Sequence, residues 1–144
     1  MPSDLSLKAM NATHRIMLKL TGGRAGWHVN GMPALELTTI GRKTGERRPI
    51  MLTSPLQDGD TIVVVASRGG DDTHPAWYLN VCANPDVEVS FQGAPKRPMT
   101  ARPARPDERA RLWPMVTKKH PHYGRYQRRT DREIPLVLLE PIPG

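Results

Sequence analysis

The 144-residue sequence predicts an α+β domain in which about six short, mostly antiparallel strands form a β-barrel closed on itself, with helices packed outside. Three observations carry this. Runs of β-branched and aliphatic residues, Ile62-Val63-Val64-Val65-Ala66 the strongest, recur between Gly, Pro and Asp turn signals. Helical spacing is confined to a few segments, and no internal repeat interrupts the pattern. The length suits one core, since domains commonly run about 100–150 residues.

The elements follow in order. Leu5, Ala9, Ala12, Ile16 and Leu20 make a stripe over Asp4 to Leu20, with Lys8, Arg15 and Lys19 off it: an amphipathic helix that covers a core or lies on an acidic membrane surface. Thr21 to Gly26 stops it, so residues 1–30 read as helix plus loop and 31–144 as the barrel domain. Strands are expected at Ala34–Ile40, Arg48–Leu56 and Thr61–Ser67, the last two joined by an Asp58-Gly59-Asp60 hairpin. Pro75 opens a short helix to about Ala83, and Asn84-Pro85-Asp86 ends it. Val87–Phe91 and Arg97–Arg105 flank a Gln92-Gly93 turn. Pro106-Asp107-Glu108 starts a helix with acids at its positive end; Leu112, Met115 and Val116 give its apolar face, and Pro114 should kink it. His120 to Tyr126 is a loop or short helix, and Ile134–Leu139 a closing strand entered through Pro135.

Composition narrows the function. No run of 18 apolar residues exists to span a membrane, and no signal-peptide pattern opens the chain. Cys82, the single cysteine, has no internal disulfide partner and reads as a buried structural thiol in a reducing compartment. These features predict a cytoplasmic protein, membrane-associated if the first helix lies on lipid. The net charge of +7 attracts polyanions: nucleic acid, acidic lipid or a highly anionic cofactor. With one Phe, three Tyr and three Trp there is no evident stacking platform, and the cations are dispersed over loops, so nucleic acid is not expected. His120 and His122 lack partners at metal-ligand spacing, no metal is expected, and no Ser-His-Asp pattern is legible.

The most chemical stretch is Gly41-Arg42-Lys43-Thr44-Gly45, which follows Leu37-Thr38-Thr39-Ile40 and precedes Glu46-Arg47-Arg48-Pro49. Its glycines allow tight backbone geometry, so N–H groups and Arg and Lys heads can converge on one anion. A solvated basic turn is the other reading. The spacing of a P-loop is absent.

In order and spacing, Thr38–Gly45, Val64-Val65-Ala66-Ser67-Arg68-Gly69-Gly70 and His74-Pro75-Ala76-Trp77-Tyr78-Leu79-Asn80 with Ala83-Asn84-Pro85 resemble the deazaflavin-dependent nitroreductase family, actinobacterial proteins that use coenzyme F420. Asp107 to Pro114 and Thr130 to Pro135 match too, so the resemblance runs from about Ala34 to Pro141. It implies a split β-barrel (the FMN-binding split-barrel type) and a reduced 5-deazaflavin whose tail carries a phosphodiester and several glutamates; flavin mononucleotide is the second candidate. By matching positions, Arg42, Lys43 and Thr44 would hold the tail. Arg48, Pro49, Ile50, Met51, Leu52 and Thr53 would line its path. Val65, Ala66, Ser67 and Arg68 would meet the phosphate and ring, with Arg68 where Lys is frequent. Ala76, Trp77, Tyr78, Leu79 and Asn80 would pack near the ring edge, although Trp77 reads equally well as core, and His74 as a solvent-facing turn residue. Tyr123 or Tyr126, with Ser67 assisting, would face the substrate as hydrogen-bond or proton donor, or the tyrosines merely close the barrel mouth. His120 stands where a tyrosine is common. The expectation is an F420-dependent oxidoreductase, monomer or homodimer, passing hydride to a quinone, enone or nitro compound. The alternatives are a non-catalytic deazaflavin carrier and a basic nucleic-acid or acidic-membrane binder.

Overall fold

Strand alternation explains most of the architecture. The computed structural model describes residues 28–29 and 31–143, so the expected helix at Asp4–Leu20 lies outside the described residues. Within them the order is β1 (His28–Val29), β2 (Met32–Ile40), β3 (Arg47–Thr53), β4 (Leu56–Asp58), β5 (Thr61–Val65), a 3₁₀ turn at Arg68–Gly70, α1 (Ala76–Ala83), β6 (Asp86–Phe91), β7 (Arg97–Pro103), α2 (Pro106–Lys119), α3 (His122–Arg128) and β8 (Leu136–Pro141). Every strand pairing is antiparallel.

The sheet runs β1-β2-β6-β7-β8-β5-β4, and β3 pairs with β2. Along the longer path from β3 to β4, these two strands are the ends, yet only Ser54 and Pro55 separate them in sequence. The sheet must therefore curl until its ends meet. Ser54 pins that corner: it is fully buried, its N–H donates to Pro33 O at 3.0 Å, and its hydroxyl lies 2.6 Å from Val63 O. The barrel is thus split at one seam, bridged by chain and not by a strand ladder.

One apolar cluster draws Leu35, Leu37, Ile62, Val64, Val89, Met99, Val137 and Leu139 from five strands and caps them with Trp77 and Val81 of α1. This is the barrel interior. A second cluster packs Val63, Val65, Leu136 and Leu138 against Leu112 and Val116 of α2 and Tyr123 of α3. β5 and β8 are buried on both faces, hence their unbroken apolar runs.

The structure corrects several expectations. There are eight described strands, because the expected Arg48–Leu56 strand breaks at Ser54-Pro55 and a short β1 precedes β2. The barrel is not closed on itself but split, as the resemblance implies. The helix at Pro106 continues through Pro114 to Lys119. His74 is half-buried. Of the two readings of His120 to Tyr126, the structure has the short helix, from His122. Cys82 is exposed, because α1 turns that position away from the interior that Trp77 and Val81 enter. No described helix is long and apolar enough to cross a membrane.

Candidate functional site

The basic turn is built, not loose. Gly45 N–H donates to Gly41 O at 2.8 Å and Gly41 N–H to Glu46 O at 2.7 Å, which closes the loop. Gly45 sits at φ +75, a conformation that favours glycine, and a Cβ on buried Gly41 would lie 3.2 Å from Thr44 Oγ1. Thr44 Oγ1 accepts from Glu46 N–H at 3.2 Å and from Arg48 Nη2 at 3.4 Å. The turn is tied to the barrel by Asn80 of α1. Its Oδ1 accepts from the Arg42 N–H at 3.2 Å and Arg42 Nη1 at 3.3 Å, while its Nδ2 donates to buried Thr39 Oγ1 at 3.1 Å. Arg47 pairs with Glu88, and Arg48 with Glu46 at 3.2 Å. Lys43 is exposed and makes no ion pair among the described residues.

A second turn lies past the end of β5. Ser67 is in the αR region and Arg68 follows at φ +46, a step that turns successive N–H groups toward one side. Arg68 pairs with Asp71 at 3.2 Å. Ser67 is 9% exposed and its hydroxyl has no hydrogen-bond partner among the described residues. One side chain that the sequence reading did not single out holds this segment. Arg132 donates through Nη1 to Ala66 O at 3.2 Å, through Nη2 to Ser67 O at 2.8 Å and through Nε to Asp71 O at 2.8 Å. Its Nη1 also lies 3.0 Å from His74 Nδ1. Burial, and then the Arg132 charge, pull the His74 pKa below its ordinary value. A neutral His74 that accepts at Nδ1 carries its proton on Nε2. Its ring stacks on Tyr78, centroids 4.7 Å apart. Burial, then the Cys82 thiol, push the Tyr78 phenol up to about 12, so it stays protonated. Helix α1 therefore touches both turns, Asn80 the first and Tyr78, through His74, the second.

Helix α3 forms a third wall. A Cβ on Gly70, at φ +85, would lie 2.7 Å from Tyr126 O, so only glycine lets the helix seat on the second turn. Arg129 Nη1 donates to Gly69 O at 3.2 Å. Tyr123 points the other way. It is 6% exposed, its hydroxyl meets Met32 Sδ at 3.5 Å, and burial raises its pKa. Tyr126 is half-buried, its ring 6.0 Å from that of Tyr123. Around them lie His122, 4.1 Å from the Tyr123 ring, and His120.

The structure sorts the residues named from sequence. Arg42, Lys43, Thr44, Arg48 and Pro49 are exposed on one rim. On β3, Ile50 and Leu52 face the barrel interior, half-buried, while alternation turns Pro49, Met51 and Thr53 to the opposite face. Val65 belongs to the outer core, Ala66 and Trp77 to the inner. Ala76 is exposed, Leu79 half-buried, and Asn80 is a buried bracket. The arrangement offers unneutralised cations at one end, a half-buried apolar strip of Ile50, Leu52 and Tyr78, and a free hydroxyl beside an N–H-presenting turn at the other. That donor set suits a flat molecule with an anionic tail.

A family model described as F420H(2)-dependent quinone reductase matches residues 10–141. The chain is 44% identical over 131 residues to an F420H(2)-dependent quinone reductase of Mycobacterium tuberculosis, covering 88% of this chain and 86% of that protein. Among solved structures, an F420-H2 dependent reductase is 40% identical with a TM-score of 0.65, covering 75% of this chain and 94% of its own. A structure described as a domain-swapped dimer is 39% identical with a TM-score of 0.67, covering 90% and 94%. The heme storage protein of Vibrio cholerae, 12% identical with a TM-score of 0.53 over 88% and 89%, shares the fold alone.

Proposed function

The chain belongs to the F420H(2)-dependent quinone reductase family, and on that premise we propose that it transfers hydride from reduced F420 to a quinone. When bound, the reduced deazaflavin supplies the hydride, from C5; the protein supplies binding, orientation and exclusion of water. The observation that carries the reading is the Gly41–Arg48 turn, a folded basic loop bracketed by Asn80, in which Lys43 lacks an acid partner among the described residues. Lys43 and the Arg42 and Arg48 guanidinium groups hold an oligoglutamate tail, and Thr44 keeps the loop in shape. Ile50, Leu52 and Tyr78 flank the ring, and Ser67 with Arg68 meets the phosphate and ring region. Pro49, Met51 and Thr53 contribute through the β3 backbone, because their side chains face away. Trp77, Leu79 and Val65 hold the walls in place. Tyr126 lies toward the acceptor. The likeness to a domain-swapped dimer supports a homodimer.

A fluorescence titration comparing F420 with flavin mononucleotide tests the cofactor, and oxidation of the reduced cofactor by menadione tests turnover. Tight F420 binding without turnover would make the protein a carrier. Arg42→Glu with Lys43→Glu should weaken F420 binding on the order of 100-fold, two charge-assisted contacts of roughly 1.5 kcal/mol each, with the melting temperature nearly unchanged. Unchanged affinity, or an equal loss of folding, refutes the assignment of the tail.

A further inference from the structure

We propose that His122 is the proton donor that completes reduction of the acceptor. The inference rests on the quinone reductase reading and adds a residue that neither the motifs nor the resemblance marked. Helix α3 packs on the Ser67–Gly70 turn. Near its start, Tyr123 reaches Met32 at the beginning of β2. At its end, the Tyr126 backbone and the side chain of Arg129, the C-cap residue, lie on Gly70 and Gly69. His122, Tyr126 and Arg129 follow the i, i+4, i+7 spacing of one helix face. The face that seats on the Ser67–Gly70 turn thus carries an imidazole one turn, about 5.4 Å, further along. His122 is half-buried, its ring centroid 4.1 Å from Tyr123 and 5.4 Å from Tyr126. Those two rings hold it in place. The phenol of Tyr123 is a poor alternative, because it is buried and engaged with Met32.

The proton count requires such a group. A quinone that gains hydride becomes the hydroquinone monoanion, and one more proton on oxygen completes the hydroquinone. The His122 imidazolium gives that proton, becomes neutral imidazole, and is recharged from water. The titratable and charged groups around it are His120 from the end of α2, with its ring 6.0 Å away, and Arg125, Tyr123 and Tyr126 on α3. Burial, then His120 and Arg125, hold its pKa below the ordinary histidine value. The acid form is therefore depleted as pH rises through a value under 6.5, and the quinone step should slow over the same range.

The test compares two acceptors on enzyme loaded with reduced F420 in single turnover. Menadione needs the proton; N-methylphenazinium, a cation, becomes neutral on taking up hydride and needs none. His122→Gln should lower the menadione rate about 100-fold at low pH and remove its decline with rising pH. The phenazinium rate should change less than about threefold, with F420 affinity and melting temperature retained. Equal loss on both acceptors, or a decline with rising pH that survives unchanged in H122Q, overturns the proposal. Should H122Q fail to fold, the imidazole NMR signals of the unsubstituted protein decide. Menadiol should shift those of His122, and no shift overturns the assignment. A wild-type protein that binds no F420, or binds it and reduces neither acceptor, instead overturns the reading on which the inference rests.

Discussion

Arg132 shows how one side chain can set a site without belonging to it. Its planar fork spans three carbonyls on Ala66, Ser67 and Asp71 and an imidazole nitrogen on His74. A lysine head has a single point of attachment and cannot bridge them all. Replacing Arg132 by Met leaves those acceptors unsatisfied and should cost roughly 2–4 kcal/mol, measured by denaturant unfolding. Arg132→Lys should recover part of the stability while cofactor affinity remains weak, because the Ser67–Asp71 segment is no longer fixed. Full recovery of affinity in R132K would show that charge alone suffices. The sequence could not reveal this role: Arg132 stands in an Asp-Arg-Glu run like any solvated charge cluster, and its acceptors lie about sixty residues earlier. Asn80 is the reverse case. The resemblance marked it as ring-edge lining, and the structure gives its amide to Thr39 and Arg42.

At the scale of elements, periodicity was legible and edges were not. The β5 apolar run, the short α1 after Pro75 and the Pro106 start of α2 all follow from local signals. The Ser54-Pro55 corner did not, because a strand that turns a barrel edge keeps its apolar character while its partner changes from β2 to β5. Alternation along β3 also divides Ile50 and Leu52 from Met51, which a contiguous motif conceals. The clamp on α2 has a pH signature. Arg102 of β7 bonds Glu108 of α2 at 2.7 and 2.9 Å and Glu140 of β8 at 2.7 Å. The Arg102 guanidinium, then the Arg105 N–H, hold the Glu108 carboxyl down to about 2, from 4.5. A depressed carboxylate stabilises the fold above its unfolded pKa and ceases to do so as pH falls through the folded one. The melting temperature should therefore drop between about pH 5 and pH 2, and Glu108→Gln should be less stable at pH 7 with a shallower acid slope. An unchanged slope would remove Glu108 from the acid response.

At the scale of the molecule, the barrel was legible in outline through many short strands and few helices, and its split only through the family resemblance; composition and periodicity do not show that β3 and β4, separated by two residues in the chain, lie at opposite ends of the sheet path. The exposure of Cys82 likewise depends on how α1 caps the barrel, which composition does not record. What the whole fold adds is a shared wall. Leu138 and Leu139 are neighbours on β8 whose side chains enter different cores, 4% and 0% exposed. If the barrel and its helical cover formed separate units, removing Leu138 would loosen only the cover. Because the same strand closes both cores, Leu138→Ala and Leu139→Ala should each cost about 2–5 kcal/mol and lower a single transition. The tryptophans give the readout: Trp77 sits in the inner core, and Trp113 packs on the outer. With Trp27 and Trp113 both replaced by Phe, Leu138→Ala should shift the Trp77 signal by the same amount as the far-ultraviolet circular dichroism. Two separated transitions would mean that the helices α2 and α3 unfold independently of the barrel.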